Sequence, residues 1–252
     1  MNTLPIYLIA VITGGLLLSG CAEKQQDHEV ASNTAAPANE AVEAHSSFEN
    51  TPFSNASTGI YEIDPNHASL SFGVRHLGFS NYIARFTKYS STVNYDAGDV
   101  SASSIEVSID PTSIDTDYTG DYKATHPGRD FNTWEEELAN SAKFLNSTQH
   151  TSISYRSTAI ERTGVYTVRI DGELTLLGQT RPVALDATIV GSAPTHPMQK
   201  GRGVFGFSAK GTFNRSDFGM DFLLSPPILG DEIALQFEGE FLQTVAEATD
   251  AN

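Results

Sequence analysis

The sequence predicts an all-β, antiparallel domain of about eight strands interrupted by a single helix. Three observations carry this. From about residue 60 to residue 243, apolar side chains recur at every second position in short runs, the period of a half-buried strand. Gly, Pro, Asn and Asp punctuate those runs at the spacing of hairpin turns. One segment alone, FNTWEEELANSAKFLN, leaves the two-residue period for a helical one.

The elements follow in chain order. A strand over 68–76 directs Leu70, Phe72 and Val74 to one face, and the next residue on that face is His76. A second run covers 82–95. In SIEVSID, Ile105, Val107 and Ile109 oppose Ser104, Glu106, Ser108 and Asp110. The helix is expected over 131–145, with Phe131, Trp134, Leu138 and Leu145 near helical spacing and Glu135, Glu136 and Glu137 together on its solvated side. Thr133 followed by Glu136 fits a capping box at its start. Strands resume over 151–158, where Ile153 and Tyr155 share the inward parity. VYTVRIDGELTL places Tyr166, Val168, Ile170, Leu174 and Leu176 on one side, and RPVALDATIV does so for Val183, Leu185, Ala187 and Ile189. The last two runs give Phe205, Phe207, Ala209 and Phe213, then Ile233, Leu235, Phe237 and Phe241. Strand period does not distinguish a closed barrel from a sandwich. A closed barrel of eight strands is either filled by its side chains or wide enough to hold one small ligand.

The chain ends read differently. Residues 1–20 contain no Asp, Glu, Lys or Arg and match the apolar stretch of a signal peptide. They end in LLSGC, and Cys21 is the single cysteine, so no disulfide forms within the chain. The surroundings of Cys21 resemble the bacterial lipoprotein box, which implies a lipid-modified (palmitate-type) thiol as the first mature residue; the alternative is an uncleaved membrane anchor. Ala22 resembles the outer-membrane sorting choice. Residues 21–56 read as a lipidated disordered tether rich in Ala, Ser, Asn, Gln and Glu, and 245–252 as a flexible tail. The net charge of −16 speaks against nucleic acid as a partner.

The motifs YEIDPNHASLSFGVRHLGFS, IDPTSIDT, the RD of Arg129–Asp130, SAKFLN, GELTLLGQTRPVAL, FNRSDFGM and GDEIALQFEGEF occur in this order between Tyr61 and Gln243. Together they resemble the YceI-like family of bacterial periplasmic or secreted proteins, and the match spans nearly all of the folded part, 57–244. The resemblance implies an antiparallel eight-stranded, lipocalin-like barrel enclosing a polyisoprenoid-type chain, with a link in some members to quinones. Extra residues around the expected helix, and Ala84 where the family usually has Gly, set this chain apart.

No catalytic residue, metal site or resident cofactor is assigned. No G-x-S-x-G elbow occurs, no His pair has metal-ligand spacing, no Walker pattern exists, and no glycine fingerprint joins a strand to a helix. The expected ligand is an amphiphilic lipid of isoprenoid or quinone-like type. Its lining candidates are the inward-parity residues Leu70, Phe72, Val74, Ile153, Tyr155, Val168, Ile170, Leu174, Leu176, Phe205, Phe207, Phe213, Leu235 and Phe237. His76 is either a hydrogen-bonded core histidine or a contact for the lipid's polar end. Arg215 and Asp217 straddle one serine, which puts both on the same side of a strand or turn as a polar pair, for a head group or for pinning a hairpin. Arg129 and Asp130 invite the same two readings. The alternative function is a non-catalytic surface or stress-protective interaction module with a filled barrel. The expected location is the cell envelope, anchored by lipid and facing the periplasm; a homodimer is left open.

Overall fold

Strand β1 (Gly59–His76) pairs with the last strand of the chain on one side and with two shorter strands in succession on the other, and this rolls the sheet into a tube. The computed structural model describes residues 55–225 and 228–244. The signal segment, Cys21, nearly all of the expected tether and the 245–252 tail therefore lie outside the described residues. Ala56, the last tether residue by sequence, is buried in the core, so the folded part reaches back at least that far.

Ten strand segments make the tube: β1, β2 (Ser80–Phe86), β3 (Tyr89–Tyr95), β4 (Ser104–Ile109), β5 (Ile114–Asp115), β6 (Ile153–Arg162), β7 (Thr167–Leu176), β8 (Gln179–Ala193), β9 (Val204–Asn214) and β10 (Leu229–Gln243). All neighbours are antiparallel. β3 and β2 pair with successive halves of β1, and β4 and β5 pair with β3 and β2 in turn, so each of these couples is one interrupted stave. Eight staves result, and β10 pairs with β1 to close the ring, with Leu70 facing Phe237 and Phe72 facing Leu235. The strand expected over 82–95 is thus broken in two.

Local chemistry explains the irregularities. Pro65 has no N–H to give the ladder, and β1 bulges there: Ile63 faces Phe241, but the next paired residue is Ala68. The Asp64 carboxylate holds the bulge by accepting from the Asn66 backbone N–H at 2.9 Å and lying 2.9 Å from His67 Nδ1. These bonds hold the Asp64 carboxyl below its ordinary range. Leu177 and Gly178 both have positive φ, 52° and 71°, the mirror-image two-residue turn whose twist matches the strands it joins. Gly172 has no side chain because the Tyr155 ring lies across it; a Cβ there would also stand 2.7 Å from the Arg156 carbonyl.

One end of the tube is closed by stacked rings. Tyr61 and Phe241 are fully buried, with Phe205 between them at 4.7 and 5.5 Å. The other end is roofed by the excursion between β5 and β6. Its helix α2 (Trp134–Asn140) is half the expected length. Thr133 caps it as expected, accepting the Glu136 N–H at 3.0 Å, while the Glu136 carboxylate reaches the backbone N–H of Asn132. Past Asn140 the hydroxyls win over the helix: Ser141 accepts the Lys143 N–H and Ser147 bonds Asn140, so Phe144 is buried from a turn. A single helical turn, α1 (Tyr122–Thr125) capped by Asp121, was not expected, because four residues carry no period.

Truncating the closed end tests its role. Phe241→Ala should lower unfolding free energy by about 3–5 kcal/mol, the range for emptying a packed aromatic site, read as a lower urea midpoint with unchanged slope.

Candidate functional site

Between the stacked rings and the roof lies a cavity of about 490 Å³. Its walls follow from strand parity: every second side chain of each stave points inward. β1 supplies Leu70, Phe72, Val74 and His76; β6 supplies Ile153 and Tyr155; β7 supplies Ile170, Leu174 and Leu176. β9 contributes Phe207 and Phe213, and β10 contributes Leu235 and Phe237. Phe207 forms the floor, stacked on Phe241 at 5.0 Å and tilted against Phe237 at 5.2 Å. Above it the walls carry Ser91, Val107, Val183 and Ala209, too short to meet across the tube.

Two expected lining residues are not in the wall. Val168 packs opposite Ala187, and Phe205 stacks between Tyr61 and Phe241, so both belong to the closed end. Parity assigns a face; depth along the strand is a separate quantity, and these two sit one layer too deep.

The roof adds residues that strand reasoning missed: Trp134, Leu138 and Phe144 from the α2 region, and Phe222, Leu223 and Ile228 from the β9–β10 connection. Trp134 and Leu138 were visible as the helical stripe. The β9–β10 connection was visible only as an apolar run, FLLSPPILG, without period.

Polar groups gather at this same end. Glu137, expected on the solvated side with Glu135 and Glu136, is 1% exposed. Its carboxylate accepts the Tyr122 hydroxyl at 2.5 Å and lies 3.3 Å from Arg129 Nη1, which ties the α1 loop to α2. Burial first, and then this carboxylate, push the Tyr122 hydroxyl up to about 12. Tyr122, His126 and Trp134 form a near-parallel stack at 4.8 and 5.5 Å, and Trp134 Nε1 donates to Tyr82 Oη at 2.8 Å. Asp130, next to Arg129, is exposed and outside the wall.

Arg215 is 4% exposed and faces the cavity. Its guanidinium donates to four backbone carbonyls: Gly230 at 2.8 Å, Met220 at 2.8 Å, Phe222 at 2.9 Å and Leu229 at 3.2 Å. Burial holds its pKa below the usual arginine value. The expected Arg215–Asp217 pair does not form. Residues Arg215–Phe218 make a 3₁₀ turn with about three residues per turn, so positions two apart point in different directions, and Asp217 is exposed. Asp231 takes a different partner, accepting from Ser216 N–H at 2.9 Å and Ser216 Oγ at 2.7 Å.

His76 lines the cavity half-buried, and its ring has no hydrogen-bonding partner among the described residues. The histidine satisfied within the core is therefore not what the structure contains. Among the described residues, no three His, Cys, Asp or Glu side chains converge as a metal-binding group.

An eight-stave antiparallel barrel with an apolar cavity roofed by a short helix is a lipocalin-like architecture. The chain belongs to the YceI-like domain family, whose model matches residues 61–241. A UPF0312 protein of Shewanella baltica strain OS185 is 34% identical over 186 residues, spanning 73% of this chain and 88% of its own. The crystal structure of the Campylobacter jejuni YCEI protein matches with a TM-score of 0.56 at 24% identity, over 68% of this chain and 90% of its own. A polyisoprenoid-binding domain from Saccharophagus degradans, implicated in plant cell wall breakdown, has a TM-score of 0.50 at 10% identity, over 73% and 98%.

The Arg215 geometry makes a prediction of its own. Arg215→Gln removes donors from several inward-facing carbonyls and should cost about 3 kcal/mol in urea unfolding, whereas Asp217→Asn should be nearly silent.

Proposed function

We propose that this protein holds one amphiphilic lipid, of isoprenoid or quinone-like type, in the barrel cavity and performs no catalysis. The observation that carries this reading is the hollow itself, a cavity of about 490 Å³ with almost entirely apolar walls. Its size is that of small-molecule sites, roughly 300–1,000 Å³. Each methylene moved from water into such a lining contributes about 0.8 kcal/mol, so a hydrocarbon tail is held tightly without any sharp motif. The polar end then lies under the roof, where His76, His126 and Arg129 face the cavity. The Saccharophagus degradans neighbour, named for polyisoprenoid binding, supports the ligand class. An open interior argues against the filled barrel of a pure interaction module.

The reading extends to the cell. Residues 1–20 direct export, Cys21 carries the lipid anchor, and the segment to residue 54 tethers the barrel to the periplasmic side of the outer membrane. No partner protein and no resident cofactor are invoked.

Trp134 is the only tryptophan in the chain and faces the cavity, so its fluorescence reports on occupancy. Titration of delipidated protein with a polyprenol should change the emission and saturate at one lipid per chain. Phe207→Asp, a charge on the floor, should abolish the change, while the exposed outer-face variant Glu173→Gln keeps it. An unchanged emission, or saturation unaffected by Phe207→Asp, contradicts the proposal.

A further inference from the structure

We propose that the Arg129–Glu137 pair makes this cavity select lipids with an uncharged polar end over their phosphate esters. The inference rests on the carrier reading above and deepens it, from lipid class to head-group chemistry.

Among the described residues, three formally charged side chains face the cavity: Arg129, Glu137 and Arg215. Two arginines beside an apolar tunnel would ordinarily suggest an anion site, because guanidinium forks match phosphate. Here neither cation is free to act as one. Arg215 spends four of its five N–H donors on backbone carbonyls, which fix the direction of its fork toward the β9–β10 connection and the start of β10. Arg129 is compensated by Glu137, 3.3 Å away. Glu137 is 1% exposed, so a phosphate that captured Arg129 would strand a buried carboxylate and stand beside it as a like charge. The other two carboxylates of the α2 first turn lie outside the wall, where Glu136 accepts from the Asn132 backbone N–H and Glu135 from the Thr116 hydroxyl.

An uncharged end meets none of these costs. A hydroxyl or carbonyl oxygen accepts one hydrogen bond from Arg129, which has no other side-chain partner than Glu137 among the described residues, and the ion pair stays intact. The His76 ring, without a hydrogen-bonding partner among the described residues, offers either a donor or an acceptor. The stacked rings of His126 and Trp134, 5.5 Å apart, present a flat face that suits a neutral planar group as well.

The test uses the full chain and Trp134 emission, titrated with a polyprenol and with the polyprenyl phosphate of the same length. Wild type should bind the polyprenol at least about tenfold more tightly. Glu137→Gln keeps an acceptor for Tyr122 but frees the Arg129 charge, and should collapse or reverse that ratio. Arg129→Gln should widen it. Equal or tighter binding of the phosphate by wild type overturns the inference, as does a folded Glu137→Gln variant, checked by circular dichroism, with an unchanged ratio. Should that variant not fold, the wild-type ratio decides. Binding of neither lipid sinks the carrier reading and this inference with it, whereas binding of both without preference sinks the selectivity alone.

Discussion

The pairing of β1 with β10 is the constraint on which the rest of the molecule depends. Once the first and last staves of an eight-membered antiparallel ring are hydrogen-bonded, the radius of the tube is no longer adjustable, and the interior is only just wide enough for side chains to fill. What each layer contains then decides whether that layer is solid or hollow. Tyr61, Tyr95, Phe205 and Phe241 meet across one end and close it. One layer further, Ser91, Val183 and Ala209 fall short of one another and leave the cavity. Stability and capacity are thus partitioned along the tube axis, with aromatic packing below and an apolar hollow above.

The roof solves the problem that an apolar hollow creates. An open mouth would let water wet the walls, yet a roof of pure hydrocarbon would give an amphiphile nowhere to leave its polar end. The excursion from Tyr118 to Leu145 and the β9–β10 connection answer with mixed chemistry: Trp134, Leu138, Phe144 and Phe222 cover the tunnel, while Glu137, Arg129, His126 and His76 sit at its edge. Glu137 and Arg129 are held by internal bonds, whereas the His76 ring has no hydrogen-bonding partner among the described residues. Glu137 joins Tyr122 and Arg129, and Arg215 gathers the carbonyls of the β9–β10 connection. Such hydrogen-bonded networks fix the geometry of the roof.

Much of this was legible from residue order, for a physical reason. A strand side chain has two faces to choose from, so alternation alone placed thirteen of the fifteen inward candidates, counting His76, around one cavity. The two failures, Val168 and Phe205, concern depth, which alternation does not encode. The polar residues were harder. Arg215 and Asp217 share a side only where the period is two; the chain makes a 3₁₀ turn here, so the pair suggested by the sequence has no counterpart in space. Glu137 stood in a row of three glutamates, and composition says nothing of which one faces inward; the helical phase of Trp134 and Leu138, which sit beside it, was the usable signal. The shortening of α2 was written in Ser141 and Ser147, whose hydroxyls compete for the backbone and for Asn140.

The central claim is that the hollow above Phe207 holds one hydrocarbon tail. Native mass spectrometry of the full-length protein, purified from the cells that make it without added lipid, is the most direct measurement. The account predicts a one-to-one adduct that survives buffer exchange, disappears on organic extraction, and leaves an isoprenoid-type lipid in the extract. A protein that flies at its bare mass in repeated preparations, and stays so after incubation with polyprenol, would contradict it.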